Sequence, residues 1–146
     1  MNNSNKHLKQ DKIYATKSTD LSKFSFNEQV VDVFPDMINR SVPGYQNMVT
    51  GIGKIANLLC GQSPVIYDLG CSLGSVSLSI AKATADKHPQ IIGVDNSQAM
   101  ISRCQQHIDV FSFGHRITLL QDDVRSLILA PCNMVVLHFT LQFIEK

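Results

Sequence analysis

The sequence contains no tryptophan, five prolines and eight glycines in 146 residues. Such sparse Gly and Pro exclude a collagen-like repeat or a flexible linker. Cysteine is scarce and scattered: Cys60, Cys71, Cys104 and Cys132 lie 11, 33 and 28 positions apart. There is no CxxC pair and no Cys/His group at zinc spacing, so no metal site is expected and the thiols read as reduced. No apolar run approaches the roughly 18 residues that a membrane span needs. The first twenty residues contain lysines but no apolar h-region, which excludes a secretory signal there. A cytoplasmic chain without membrane contact is the expectation. An excess of one charge is also missing, since 13 Lys+Arg face 12 Asp+Glu for a net of +1. Residues 1–20 hold four Lys and two Asp, which leaves nine basic and ten acidic residues in 21–146. A body of net −1 has no electrostatic footprint for a phosphate backbone. A small-molecule ligand is therefore expected, with no direct nucleic-acid binding.

What is present is a core. Hydrophobic residues make up 44% of the chain, enough for one domain or part of one. Residues 1–22 are polar and aperiodic and read as a disordered tail, with the folded domain at 23–146. From Phe24 a helical stripe begins (Phe26, Val30, Val31, Val33, Phe34), capped by Asn27 and stopped by Pro35, with a second short helix over 36–40. Pro43-Gly44 marks a turn. A longer helix follows over 45–59, with Met48, Ile52, Ile55, Ala56 and Leu59 at helical spacing. The period then changes. VIYDLG (65–70), IIGVD (91–95), RITLLQ (116–121) and NMVVLHF (133–139) read as four strands. Helices fill 73–85 and the stretch after Ser97, its expected cap. Apolar strands alternating with helices predict a parallel, doubly wound, Rossmann-like α/β sheet with N-terminal helices. The last strand is long and apolar and would leave an exposed edge. The chain is accordingly expected to be a C-terminally truncated domain with only the first four strands.

Chemistry concentrates at one rim of that sheet. The first strand ends in Asp68-Leu69-Gly70-Cys71-Ser72-Leu73-Gly74, an acid followed by a glycine turn that opens a helix. Glycines there would let a ligand approach the backbone, and a helix start offers free N–H groups. In such sheets ligands sit beyond the carboxyl ends of the strands. Asp95 ends the second strand, 21 residues after Gly74, where a ribose-binding acid belongs. Asp123 follows the third. The dinucleotide pattern G-x-G-x-x-G fails, because Ser72 and Ser75 stand in place of the later glycines, and Asp68 would repel a pyrophosphate. A ligand with an amino group and a ribose but no phosphate fits better, and S-adenosyl-L-methionine is such a ligand. Cys71, at a helix start where a thiol pKa falls, reads as a small side chain lining the turn rather than a nucleophile.

These stretches carry a resemblance. D-L-G-C-S-L-G (68–74), D-N-S-Q-A-M-I (95–101), F-P-D-M-I-N-R-S-V-P-G-Y (34–45) and M-V-V-L-H-F-T-L-Q-F (134–143) together resemble the carboxy-S-adenosyl-L-methionine synthases, which have the class I methyltransferase fold. The likeness runs from about Phe24 to the last residue. It implies a transferase that converts S-adenosylmethionine and prephenate to carboxy-S-adenosyl-L-methionine and phenylpyruvate. The product supplies a partner enzyme that modifies a tRNA wobble uridine. No protein nucleophile or metal is implied, and full-length members are homodimers.

Carried over residue by residue, Gly70, Cys71 and Ser72 form the cofactor loop beside Asp68, and Asp95 holds the ribose with Asn96 beside it. Asp123 and Val124 border the adenine. Tyr45 reaches the added carboxylate. Two positions depart from the family pattern. His138 replaces an Asn, and reads either as a ligand contact or as a satisfied core histidine. Asp122 stands where a Gly is usual, so either adjacent acid could be the adenine contact. The later strands of the family are missing, and with them an Arg that pairs with the carboxylate. An ordinary methyltransferase acting on a small acceptor, and an inactive cofactor-binding remnant, are the alternatives.

Overall fold

The computed structural model describes residues 28–144. The expected tail at 1–22, Phe26 and the Asn27 cap lie outside the described residues. Helix α1 spans Glu28–Ser41 without a break and carries Pro35 in its interior. The expected stop at Pro35 does not occur. A proline forfeits one hydrogen bond to the carbonyl four residues back, and packing outweighs that loss. Phe34, Met37 and Ile38, at i, i+3 and i+4, turn together into the cavity described below. Pro35 itself stays exposed, and its carbonyl accepts a 2.8 Å hydrogen bond from the Asn39 amide.

Helix α2 spans Tyr45–Leu59, as its periodicity predicts. The face it buries differs from the most apolar one. Val49, Gly53 and Ala56 are buried, whereas Met48, Ile55 and Leu59 are 37%, 48% and 73% exposed. The reason is a close approach to helix α3 (Ser75–Ala83). A Cβ on Gly53 would stand 2.5 Å from Ser79 Oγ and 2.8 Å from the Ser79 carbonyl oxygen. The Ser79 hydroxyl donates to the Val49 carbonyl at 2.9 Å across the same seam. Small residues set this contact, so the larger ones are left outside.

Four parallel strands follow: β1 (Val65–Leu69), β2 (Gln90–Asp95), β3 (Ile117–Gln121) and β4 (Met134–Val136), in the order β3-β2-β1-β4. Ile66 pairs with Ile91 and Met134, and Ile91 with Ile117. The period of two puts Ile66, Ile91, Ile117 and Val136 on one face. There they form the main core with Ala56 of α2, Ile80 and Ala81 of α3, and Cys104 and Ile108 of helix α4 (Gln98–Ile108). Ile66, Ile80 and Ile91 have no exposed surface, and each such burial is worth about 2 kcal/mol. Steps β1→β2→β3 run in one direction across the sheet, and right-handed crossovers then place α3 and α4 on the same side. The return from β3 to β4 crosses the other face as a non-helical segment. Its Val124, Leu127 and Cys132 pack on Tyr67, Leu69 and Val94, and the Tyr67 hydroxyl accepts from the Ala130 N–H at 3.3 Å. Ser97 caps α4 as expected, accepting from the Met100 N–H at 3.2 Å. Strand β4 is shorter than the apolar run 133–139 suggests. Phe139 lies in the left-handed region (φ 58°), which takes the chain off the sheet and toward the rim. Among the described residues no helix is long and apolar enough to cross a membrane.

The two glycines of α2 respond oppositely to the same change. Nothing lies within 4 Å of a Cβ on Gly51, so Gly51→Ala stabilises the chain by about 0.5–1 kcal/mol through helix propensity alone. Gly53→Ala forces α2 off α3 and costs about 1–3 kcal/mol. Urea midpoints of the two variants check this, and shifts of equal sign contradict the α2–α3 packing.

Candidate functional site

The turn after β1 is tied into the fold by its own backbone. Gly70 and Cys71 both donate N–H groups to the Val94 carbonyl, at 2.7 and 2.9 Å. Ser72 sits at φ 52° and Gly74 at φ 80° before α3 begins. Sequence reasoning assigned the glycines to ligand approach, and the packing assigns them otherwise. A Cβ on Gly70 would meet Thr140 Oγ1 at 2.5 Å, and one on Gly74 would meet Cys104 Sγ at 2.7 Å. Both glycines make room for the protein itself. Thr140 donates its hydroxyl to the Leu69 carbonyl at 2.6 Å. His107 Nδ1 lies 2.8 Å from the Leu73 carbonyl, so the proton sits on that nitrogen. Neither residue was foreseen as part of this turn.

Three rim acids meet here, each in a different state. Asp68 is fully buried and accepts from the Ser77 hydroxyl at 2.6 Å. Burial pushes its pKa up to about 6, opposed by the Ser77 hydroxyl and N–H and reinforced by the charge of Asp95. Asp95 accepts from the Ser72 N–H at 3.0 Å with one oxygen and from the Ser97 N–H at 2.9 Å with the other. Its pKa is raised by burial, against those two N–H groups. It is thus a structural tie as well as a rim carboxylate. Asp123 is the reverse case, since Arg125 clasps it and holds its pKa down at about 2. The neighbouring Asp122 accepts from the Asp123 N–H at 2.7 Å.

These groups line a cavity of about 360 Å³, a volume typical of small-molecule sites. Ten residues that the sequence singled out border it, whereas Asp122, the alternative adenine contact, and Gly74 do not. Tyr45, Asp68, Gly70, Cys71, Ser72, Asp95, Asn96, Asp123, Val124 and His138 all line it. The structure adds Arg125, Thr140 and an apolar wall of Phe34, Met37, Phe139 and Phe143. The Tyr45 and His138 rings are 5.3 Å apart. His138 Nε2 is buried without a hydrogen-bond partner among the described residues, which argues against a satisfied core histidine. Burial lowers the His138 pKa and raises that of Tyr45, the latter opposed by the Ser75 hydroxyl. The expected lowering at Cys71 is reversed. A hydrogen bond to Cys104 first, then burial and the charge of Asp68, raise its thiol pKa well above the ordinary range, so it is not an activated nucleophile. No group of three or more His, Cys, Asp or Glu able to hold a metal occurs among the described residues.

Comparison with known proteins shows the family and the fold. The family described as Methyltransferase domain matches residues 66–146. The carboxy-S-adenosyl-L-methionine synthase of Colwellia psychrerythraea is 43% identical over 136 residues, covering 93% of this chain and 56% of that protein. The synthase of the same name from Histophilus somni is 43% identical over 139 residues, covering 95% and 58%. The chain thus spans little more than half the length of the curated relatives it matches. Among solved structures, a Methanococcus maripaludis protein assigned as an S-adenosyl-L-methionine-dependent methyltransferase has a TM-score of 0.67 at 19% identity. It covers 88% of this chain and 57% of that one, and shows the shared class I methyltransferase fold.

The buried acid leaves a signature in stability. A carboxyl whose folded-state pKa exceeds its unfolded one holds its proton more tightly in the folded chain. Its contribution therefore favours folding below about pH 4 and is lost as pH rises through about 6. For Asp68, moved from 3.8 to about 6, the loss is up to about 3 kcal/mol. Asp68→Asn keeps an acceptor for Ser77 and removes this slope. The variant should be the more stable chain at pH 7 and should match the wild type near pH 4. Urea midpoints at both values decide, and parallel pH profiles for the two chains count against a buried, protonatable Asp68.

Proposed function

This chain belongs to the methyltransferase-domain family, and we propose that its cavity binds S-adenosyl-L-methionine. The observation that carries this reading is how the turn uses its N–H groups. Gly70, Cys71 and Ser72 donate to Val94 and Asp95, so they are not free to cradle a phosphate. Asp68 and Asp95 put two acids into the same cavity, while the charge of Asp123 is matched by Arg125. Such a site attracts a cation and repels a pyrophosphate. A sulfonium nucleoside with an α-amino group supplies the matching charge. Its ribose hydroxyls would donate to the lone pairs that remain on Asp95, and its base would lie along Val124.

The reaction we propose is carboxyl transfer, in line with relatives named carboxy-S-adenosyl-L-methionine synthase at 43% identity. Prephenate would lose CO₂ and hydroxide as its ring becomes aromatic, leaving phenylpyruvate. The hydroxide would take a proton from the acidic sulfonium methyl group to give water, and the resulting ylide would add to CO₂. Atoms and charge balance without a protein nucleophile, which suits a Cys71 thiol held protonated. The protein's part is then to orient both ligands and exclude water. The wall of Phe34, Met37, Phe139 and Phe143 offers the apolar surface a ring would need. We further propose that the full-length protein acts as a homodimer in the cytoplasm, and that its product goes to an enzyme modifying tRNA wobble uridine.

Incubation with S-adenosylmethionine and prephenate, read by mass spectrometry, tests the reaction. A carboxylated sulfonium supports it. S-adenosylhomocysteine formed on an added acceptor supports ordinary methyl transfer, and bound nucleoside without turnover supports a cofactor-binding remnant. Asp95→Ala removes a ribose acceptor and two backbone ties together. Its affinity for S-adenosylmethionine should fall at least about tenfold and its stability by about 1–2 kcal/mol. Calorimetry and denaturation measure the two effects, and unchanged affinity would remove the ribose role.

A further inference from the structure

We propose that Arg125 gates the base end of the cavity: its guanidinium occupies the carboxylate that a 6-amino purine needs, and the nucleoside must displace it. The inference rests on the S-adenosyl reading of the site and adds to it a residue that controls base selection. The geometry is specific. Arg125 Nε lies 3.0 Å from each Asp123 oxygen, and Nη2 lies 2.5 Å from Oδ2. The Arg125 backbone N–H donates to Oδ1 at 2.9 Å. A carboxylate offers about four lone-pair sites, and three N–H groups crowd them, the single Nε–H being shared between both oxygens. The guanidinium therefore stands in the way of an exocyclic amino group at Asp123 while the pair is closed.

The two partners are not equally movable. Asp123 is anchored by backbone on both sides, through its own N–H to Asp122 Oδ1 at 2.7 Å and through the Arg125 N–H. Its main-chain carbonyl accepts from the N–H groups of Ser126 and Leu127, each at 3.0 Å. The guanidinium hangs on a flexible stem and its side chain is 57% exposed, against 34% for Asp123. Ion pairs this exposed contribute little net and are weakened by salt. Of the described residues lining the cavity, Arg125 alone carries a fixed positive charge. The ligand's amino group can thus take over a hydrogen bond on Asp123 from the guanidinium, while the Arg125 backbone N–H stays on Oδ1.

The closed and open states favour different bases. With the pair closed, the cavity presents guanidinium donors, which suit the O6 and N7 acceptors of a 6-oxo purine. With it open, Asp123 presents an acceptor, which suits the 6-amino group of adenine. Arg125 should therefore weaken adenine binding and blur the choice between adenine and hypoxanthine. It should also give binding an unusual salt dependence, because salt loosens the competing pair.

Calorimetry on the whole chain, with S-adenosylhomocysteine and its 6-oxo analogue S-inosylhomocysteine, tests this for the wild type, Arg125→Gln and Asp123→Asn. Arg125→Gln should bind S-adenosylhomocysteine about two- to fivefold more tightly and raise the amino-over-oxo preference by a similar factor. Wild-type affinity should rise between 0.05 and 0.5 M salt, values chosen to span the screening range, and the rise should vanish in Arg125→Gln. Asp123→Asn should lose the preference and the salt effect together. Weaker or equal binding by Arg125→Gln with an unmoved preference overturns the gate alone. A folded wild type that binds neither nucleoside overturns the S-adenosyl reading and the gate with it.

Discussion

The turn from Gly70 to Gly74 is held from three directions, and the site exists because of those ties. Asp95 reaches in from the end of β2 and fixes the Ser72 N–H. Thr140 reaches in from beyond β4, bonds the Leu69 carbonyl and fills the space a side chain at 70 would need. Helix α4 closes the third side, with Cys104 against Gly74 and His107 on the Leu73 carbonyl. The ties come from three separate elements: the end of β2, the segment after β4, and α4. The turn is therefore a meeting point of the whole topology rather than a local loop, and its N–H groups are spent on the fold before any ligand arrives.

That allocation sets the electrostatics of the cavity. With the turn's donors used internally, the rim carries acids in unequal states. Asp68 is buried, with its pKa raised to about 6. Asp95 divides its oxygens between two backbone N–H groups. Asp123 is held by a guanidinium. Three residues of one type thus do three different things, because burial, backbone donors and a neighbouring cation act on them separately. Residues of α1 and the 139–143 segment add an apolar lining to this acidic rim, so the cavity carries both charged and apolar groups.

Much of the structure was legible along the chain. The strand–turn–helix rhythm, the extent of α2, the Ser97 cap, the turn after β1 and the acids Asp68, Asp95 and Asp123 could be read from period, capping chemistry and the rule that ligands sit beyond strand ends, whereas Tyr45, Asn96, Val124 and His138 came from the family resemblance alone. Local signals sufficed there because each is written in consecutive residues. The misreadings share one cause, which is contact between elements far apart in sequence. Pro35 did not end its helix, because Phe34, Met37 and Ile38 gain a cavity wall by continuing it. Met48, Ile55 and Leu59 of α2 stayed outside, because Gly53 and Ser79 bring two helices too close for large side chains. The glycines of the turn serve Thr140 and Cys104, which lie 70 and 30 positions away.

Sequence by itself therefore determined the α/β class, the parallel strands alternating with helices, and which acids and glycines would stand at the carboxyl rim. Those follow from hydrophobic period and from where acids and glycines stand along each strand. Only the tertiary structure decided what each rim residue is free to do. Hydrogen-bond capacity and pKa depend on neighbours brought in by the fold. Asp95 is already half committed to the backbone, Asp123 is committed to Arg125, and Asp68 is left in a dry pocket where its charge is costly.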